Sequence, residues 1–325
     1  MKISAISYSL VCAVLIANPT LSQANTEDSY PSRTIRLVVP FSPGGAADNN
    51  MRIIGHKLSE RLGQTVMIDN KPGAAGAVAI QAARQAPKDG YTILYTSVST
   101  AVTSAKPNAP YDLAKDFVPV IQTNKGPLLF YVRPEESVYN MQDLIKYIKS
   151  SPGALNYATI GIGSGPHLAM EYLKQVYDLD ILHVPYKSSS QSSGAVIAGL
   201  VQVGIDPLSA VVPLIKSEKV RPIAVTSAEK SDAYPSVPGM KESGLPKYEF
   251  ISWAGVSVMP GTPDYVVKKL NRELNEVLKD PDVIKSYEIQ AGNTVGGTPQ
   301  DYQNFVEQEV QRLRNIIKTG NLQLD

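Results

Sequence analysis

Cysteine is nearly absent from this chain: one residue in 325, Cys12. It falls in the first 24 residues and lacks the Leu-small-small run that precedes a lipidated cysteine. Without those residues the chain has no disulfide, no thiol nucleophile and no cysteine metal site. Histidine is almost as scarce. His56, His167 and His183 are widely scattered, which argues against a histidine metal centre. Charge of either sign is also lacking in excess. One of the 31 basic residues, Lys2, lies in the leader, so 30 bases face 30 acids afterwards. That balance disfavours a nucleic-acid or polybasic membrane partner. No later apolar run reaches the roughly 20 residues needed to span a bilayer.

Residues 1–24 read as a secretory signal. Lys2 gives a positive start, Leu10 to Ala17 an apolar core, and Ser22-Gln23-Ala24 a small-x-small cleavage site near Ala24. A retained N-terminal anchor is the alternative. Export without disulfides suits a bacterial periplasm. Removal leaves 325 less 24, or 301 residues, more than one core usually serves, so two domains are expected.

Strands and helices then alternate. Ile35–Phe41, Thr65–Asp69 and Tyr91–Thr96 read as strands, separated by helices ending at Leu62 and near Ala86. The first helix shows Met51, Ile54, Leu58 and Leu62 on one face, with Gly63 at the stop. Thr96 to Thr100 reads as a hydroxyl-rich loop. Two apolar runs, Val118–Thr123 and Leu128–Val132, are separated by Lys125-Gly126-Pro127, taken as a first crossing into a second domain. There the rhythm restarts: a helix at Met141–Lys149, strand Leu155–Ile160 and a helix from Pro166. Strand Ile181–Pro185, helix Ser190–Ala198, strand Val201–Ile205, a short helix from Pro207 and strand Val220–Thr226 follow. Ile251–Met259 reads as the return crossing, and two helices close the chain, from Thr262-Pro263-Asp264 and from Thr298-Pro299 to Gly320. The pattern predicts an α/β protein with mostly parallel sheets and ligands at the carboxyl ends of strands.

Two strand-to-helix turns carry the chemistry. Phe41-Ser42-Pro43-Gly44-Gly45-Ala46-Ala47-Asp48 is either an anion cradle, with Ser42 and Phe41 at its rim, or a tight turn capped by Asp48. Gly161-Ile162-Gly163-Ser164-Gly165-Pro166-His167 keeps side chains away from the backbone N–H groups, and binding is favoured over a plain turn. Such N–H groups at a helix start, with the helix dipole behind them, attract anions. The second turn is not a nucleophile elbow, because Ile162 and Pro166 occupy the required glycine places. It is not a dinucleotide fingerprint either, because position 166 is proline. His167 reads as a hydrogen-bonding histidine near a helix start, with a base for Ser164 as the rival reading. Asp206 could cap the Pro207 helix or touch a ligand. Neither loop contains arginine, so an anion would be held by amides, hydroxyls and dipoles.

The run Tyr30-Pro31-Ser32-Arg33, Ile35 to Gly45, Asp69-Asn70-Lys71-Pro72-Gly73-Ala74 and Asp89-Gly90-Tyr91-Thr92 resembles the tripartite tricarboxylate transporter receptors, the Bug-type extracytoplasmic solute receptors. Tyr111-Asp112, Asp116 to Val120, Gly161–Ser164 with His167-Leu168, His183 to Lys187, Trp253-Ala254-Gly255, Pro260 to Pro263 and Thr298-Pro299 extend the resemblance over essentially the whole exported chain. It implies a two-domain, type II-like periplasmic binding protein that closes like a flytrap around a small carboxylate. Domain 1 would comprise residues 30–124 and 252–320, and domain 2 residues 125–251, with the ligand cleft between them. It also implies ligand contacts from Phe41, Ser42, Gly44, Gly45, Ala46 and Asp48, from Ser97, from Gly161, Gly163, Ser164, Gly165 and His167, and from Asp206. The chain departs from the family at Ser188 to Ser193 and at Gly204, where an acidic residue is usual.

The expectation is therefore a monomeric periplasmic solute-binding protein, not an enzyme, without metal or cofactor. It would take a small organic carboxylate, a dicarboxylate with one end at each glycine loop, and deliver it to the integral-membrane permease of a tripartite transporter. The alternatives are a ligand-dependent receptor for a sensor kinase and, more remotely, a secreted hydrolase using Ser164.

Overall fold

The computed structural model describes residues 29–73 and 76–324. The signal-peptide reading of residues 1–24, Ala74 and the expected helix start at Ala75 lie outside them. The described chain from Pro31 onward forms one continuous body.

The apolar, β-branched run Ile35–Val39 forms β1, followed by α1 (Ala46–Leu62), β2 (Val66–Asn70), α2 (Ala77–Arg84) and β3 (Thr92–Ser97). α1 buries Met51, Ile54 and Leu58 on the expected face and stops at Gly63, whose φ of 65° is left-handed and therefore best suited to glycine. β1 pairs in parallel with both β2 and β3. The expected loop after Thr96 is instead the start of a helix, α3 (Val98–Ala105). Thr100 Oγ1 accepts from the Ser97 N–H at 2.9 Å. It also donates to the Ser97 carbonyl at 2.8 Å, so the hydroxyls that suggested a loop hold a helix entry.

The two apolar runs after Phe117 are one 15-residue strand, β4 (Val118–Val132), which continues through Lys125-Gly126-Pro127. Tertiary pairing overrides the local break. β9 (Ile251–Val258) lies antiparallel to β4 from Val118↔Val258 to Pro127↔Ile251. Between them come α4 (Met141–Ser150), β5 (Asn156–Thr159), α5 (Gly165–Tyr177), β6 (Leu182–Pro185), α6 (Ser189–Ile197), β7 (Val203–Pro207), α7 (Leu208–Lys216) and β8 (Arg221–Val225). β5 pairs in parallel with β6 and β7, whereas the later part of β4 pairs antiparallel with β7 and β8. The architecture is α/β with two lobes: parallel strand trios lie at either end, and β4 runs between them. Its Leu128 N–H donates to Thr226 Oγ1 at 2.8 Å, and the Phe250 N–H donates to the Thr226 carbonyl at 2.9 Å. The outgoing and returning crossings therefore lie side by side.

Three helices close the chain rather than two: α8 (Asp264–Val277), α9 (Pro281–Ile289) and, after β10 (Asn293–Gly296), α10 (Pro299–Thr319). α9 has its own start signal, since the Asp280 side chain accepts from the Asp282 N–H and proline follows it. α10 packs on both α3 and α5. In the second lobe, Gln175 Nε2 on α5 donates to the Ile316 carbonyl of α10 at 2.8 Å. Buried residues from both lobes, among them Leu94, Phe130, Leu168 and Tyr302, join one apolar core.

Candidate functional site

A cavity of about 250 Å³ lies where the lobes meet. The first two residues of three helices line it: Ala46 and Ala47 of α1, Val98 and Ser99 of α3, Gly165 and Pro166 of α5. From α7 come the cap Pro207 and the second residue Ser209. Four helix N-termini, two per lobe, thus converge on one space. Each leaves its first N–H groups without an intrahelical acceptor and places the positive end of a dipole there. None of the lining residues carries an ionisable carboxylate, ammonium, guanidinium or imidazole. The polar side chains there are amides and hydroxyls, including Asn50, Asn124 and Gln290; aromatic residues Phe41, Tyr95, Trp253 and Tyr287 supply apolar wall. Ser97 also lines the cavity, and its Oγ is buried without a hydrogen-bond partner. Such a group costs free energy until something bonds it. A larger cavity, about 1000 Å³, lies between the end of α3 and the end of α10 and contains none of the expected site residues. The smaller cavity is the candidate because amide-bearing helix starts converge on it, not because of its volume.

Phe41, Ala46, Ser97 and Gly165 line the cavity as expected residues of the two turns and the third strand's end. Ser42, Gly44 and Gly45 remain exposed in the first turn. Asp48 is buried and serves that turn directly. Its Oδ2 accepts from the Gly44 N–H at 2.8 Å and from Arg52 Nε at 2.9 Å, and its Oδ1 accepts from Asn70 Nδ2 at 2.9 Å. The Arg52 hydrogen bond, aided by those from Gly44 and Asn70, lowers its pKa to about 2 against the cost of burial. Asn70 Nδ2 also reaches the Phe41 carbonyl at 3.0 Å, so the end of β2 fastens the turn after β1.

The second turn is held in the same manner. Gly161 and Gly163 have φ values of 122° and 73°. The Ser164 hydroxyl donates to the Gly161 carbonyl at 2.7 Å, and His167 Nδ1 accepts from the Gly163 N–H at 3.1 Å. The His167 ring stacks on His183 with centroids 4.1 Å apart, and His183 Nε2 meets Thr159 Oγ1 at 2.7 Å. Burial lowers the pKa of both imidazoles; for His183, with His167 adding to it, the value falls to about 3. The turn abuts α3: a Cβ placed on Gly165 or Gly163 would lie 3.6 Å from Val98 or 3.8 Å from Val102, respectively. Asp206 precedes the lining Pro207 but is itself fully buried. Tyr131 Oη and Ser192 Oγ both donate to its Oδ2, at 2.7 and 2.8 Å, and its Oδ1 has no partner. Burial raises its pKa to about 6.

Sequence reasoning missed the wall built by α9 and its exit: Tyr287, Gln290 and Gly292. Gln290 Nε2 donates to Asn50 Oδ1 at 2.6 Å, and Asn50 Nδ2 returns a bond to Gln290 Oε1 at 3.2 Å. The Asp280-Pro281 pair was the available signal for that helix. Nothing local in the sequence joins it to α1.

The profile described as "Tripartite tricarboxylate transporter family receptor" matches residues 51–322. Protein BugT of Bordetella pertussis is 31% identical over 317 residues, covering 97% of each chain. Among solved structures, an R. palustris protein with adipate is 35% identical, with a TM-score of 0.78, over 90% of this chain and 98% of its own. MatC from Rhodopseudomonas palustris with bound malate is 27% identical, with a TM-score of 0.76, over 89% of this chain and all of the other. Family and fold are those of periplasmic solute-binding proteins, and this chain belongs to the tripartite tricarboxylate transporter receptor family.

Proposed function

We propose that this chain captures a small dicarboxylate in the 250 Å³ cavity, one carboxylate at the N-termini of α1 and α3 and the other at those of α5 and α7. The observation that carries the reading is the convergence of four helix starts on a space lined by no carboxylate, ammonium, guanidinium or imidazole. Its volume lies below the roughly 300–1,000 Å³ usual for drug-sized ligands, which suits a small metabolite. The relatives solved with adipate and malate support the same chemistry. Residues 30–124 with 252–320 would form one lobe and 125–251 the other, closing over the guest. Export would follow cleavage near Ala24, and delivery would be to the integral-membrane permease of a tripartite transporter.

A hydrolytic role finds no support in the second turn. The Ser164 hydroxyl donates to the Gly161 carbonyl and His167 Nδ1 accepts from the Gly163 N–H, which favours a structural role for both over a nucleophile and its base. The test is calorimetric titration of the protein, freed of co-purified ligand by unfolding and refolding, with succinate, glutarate and adipate. Saturable binding of at least one is expected; heats no larger than dilution for all three would refute the reading.

A further inference from the structure

We infer that Asn50 is a guest-binding residue: its side-chain N–H donates to the carboxylate held by the first lobe, and Gln290 keeps the amide turned that way. This rests on the dicarboxylate reading above and adds a side chain to a site so far described by helix starts.

Ala46, Ala47 and Asn50 all line the cavity. Their spacing puts them on one face of α1, with Asn50 one turn beyond the helix start. Asn50 is only 7% exposed, so each atom of its amide needs a partner. The orientation is fixed from Gln290. Its Nε2 lies 2.9 Å from the Ser286 carbonyl and 2.6 Å from Asn50 Oδ1. A backbone carbonyl only accepts, so the Gln290 atom beside it is the nitrogen and not the oxygen. Both hydrogens of that nitrogen are then used, and the Asn50 atom facing it is the oxygen. Asn50 Oδ1 also accepts from Ser286 Oγ at 2.9 Å, which fills its second lone pair. Asn50 Nδ2 gives one hydrogen to Gln290 Oε1 at 3.2 Å. Its second hydrogen goes to no described residue. Turned over, the amide would show an anion its oxygen; locked as it is, it keeps a donor in reserve, beside helix dipoles that act in the same sense. Gln290 and Ser286 are therefore positioning residues, and Asn50 supplies a hydrogen bond to a charged acceptor, stronger than one to a neutral group.

Isothermal titration of the whole chain with succinate, glutarate and adipate tests the inference. Asn50→Asp keeps acceptors for Ser286 and Gln290 but has no N–H to give, whereas Asn50→Leu removes the amide at similar size without adding charge. Each is expected to weaken the tightest-binding diacid at least about tenfold. Gln290→Met is expected to weaken it about threefold in the parent chain and to add nothing in the Asn50→Leu background, because it acts through Asn50. A role confined to tying α1 to α9 would instead lower the ligand-free melting temperature and leave affinity unchanged. Affinity within about twofold of the parent in either Asn50 variant overturns the inference, as does a Gln290→Met loss of equal size in both backgrounds. Should Asn50→Leu fail to fold, Asn50→Asp decides alone. These outcomes leave the dicarboxylate reading intact; a parent chain that binds none of the three diacids overturns both.

Discussion

At the residue scale, Gly204 explains itself only through Tyr131. A Cβ at position 204 would fall within the Tyr131 ring, whose hydroxyl reaches over to Asp206. The glycine at this position makes room for a phenol. Gly204→Ala should destabilise the protein by about 1–3 kcal/mol through overpacking, read from urea unfolding; a loss below about 0.5 kcal/mol would show that the ring has room to move. Asp206 supplies a pH signature. Its carboxyl titrates at about 6 in the fold against 3.8 in the unfolded chain. Between those values the native state holds a proton that the unfolded state has released, so stability falls as pH rises from about 4 to about 6. The fall is on the order of 2–3 kcal/mol at most. Asp206→Asn should flatten that slope, and an unaltered slope would assign it elsewhere. Asp48 has the opposite sign. Its pKa is lowered, so its contribution is full above about 3.8 and is lost as pH falls towards about 2.

At the element scale, the strands and long helices were legible because β-branched runs and four-residue spacing are local signals. α3 was not. Ser97, Ser99, Thr100, Thr103 and Ser104 are poor interior helix formers, yet most of this helix is buried, and packing supplies what propensity lacks. β4 was cut in two for a similar reason: Gly126-Pro127 reads as a break, and only the β9 ladder keeps it extended. Of the cavity's lining, Phe41, Ala46, Ser97 and Gly165 were among the residues expected from sequence, whereas Ser42, Gly44, Gly45, Gly161, Gly163, Ser164 and His167 were expected and do not line it. The α9 wall could not be expected, because residues 236 and 240 positions apart meet only in the fold. The start of α10 offers a clean test. Thr298 Oγ1 accepts from the Asp301 N–H at 3.1 Å while Asp301 Oδ2 accepts from the Thr298 N–H at 2.9 Å. Thr298→Ala should cost about 0.5–2 kcal/mol in thermal unfolding and leave ligand affinity unchanged; altered affinity would mean that this helix start influences the cleft.

At the scale of the whole molecule, a guest held by both lobes, as proposed, would show its affinity as stability of the entire fold. A dicarboxylate at about 100 times its dissociation constant should add roughly 2.7 kcal/mol, seen as a melting transition several degrees higher. Biphasic melting in which only one step responds would show that one lobe alone carries the ligand. The near-equality of acids and bases and a cavity lined by no charged side chain lead to a further expectation: affinity should change little between low and moderate salt.

α10 is fastened to both halves, through the core packing against α3 and through the Gln175–Ile316 bond. Two covalent connectors alone would leave a loose joint. If the lobes close over cargo as proposed, this third, non-covalent brace would restrict how the jaws swing. A single amide–carbonyl contact, worth about 1 kcal/mol, would then act as a trimming weight on the ratio of spread to shut molecules, adjustable at Gln175, which is not among the residues lining the cavity.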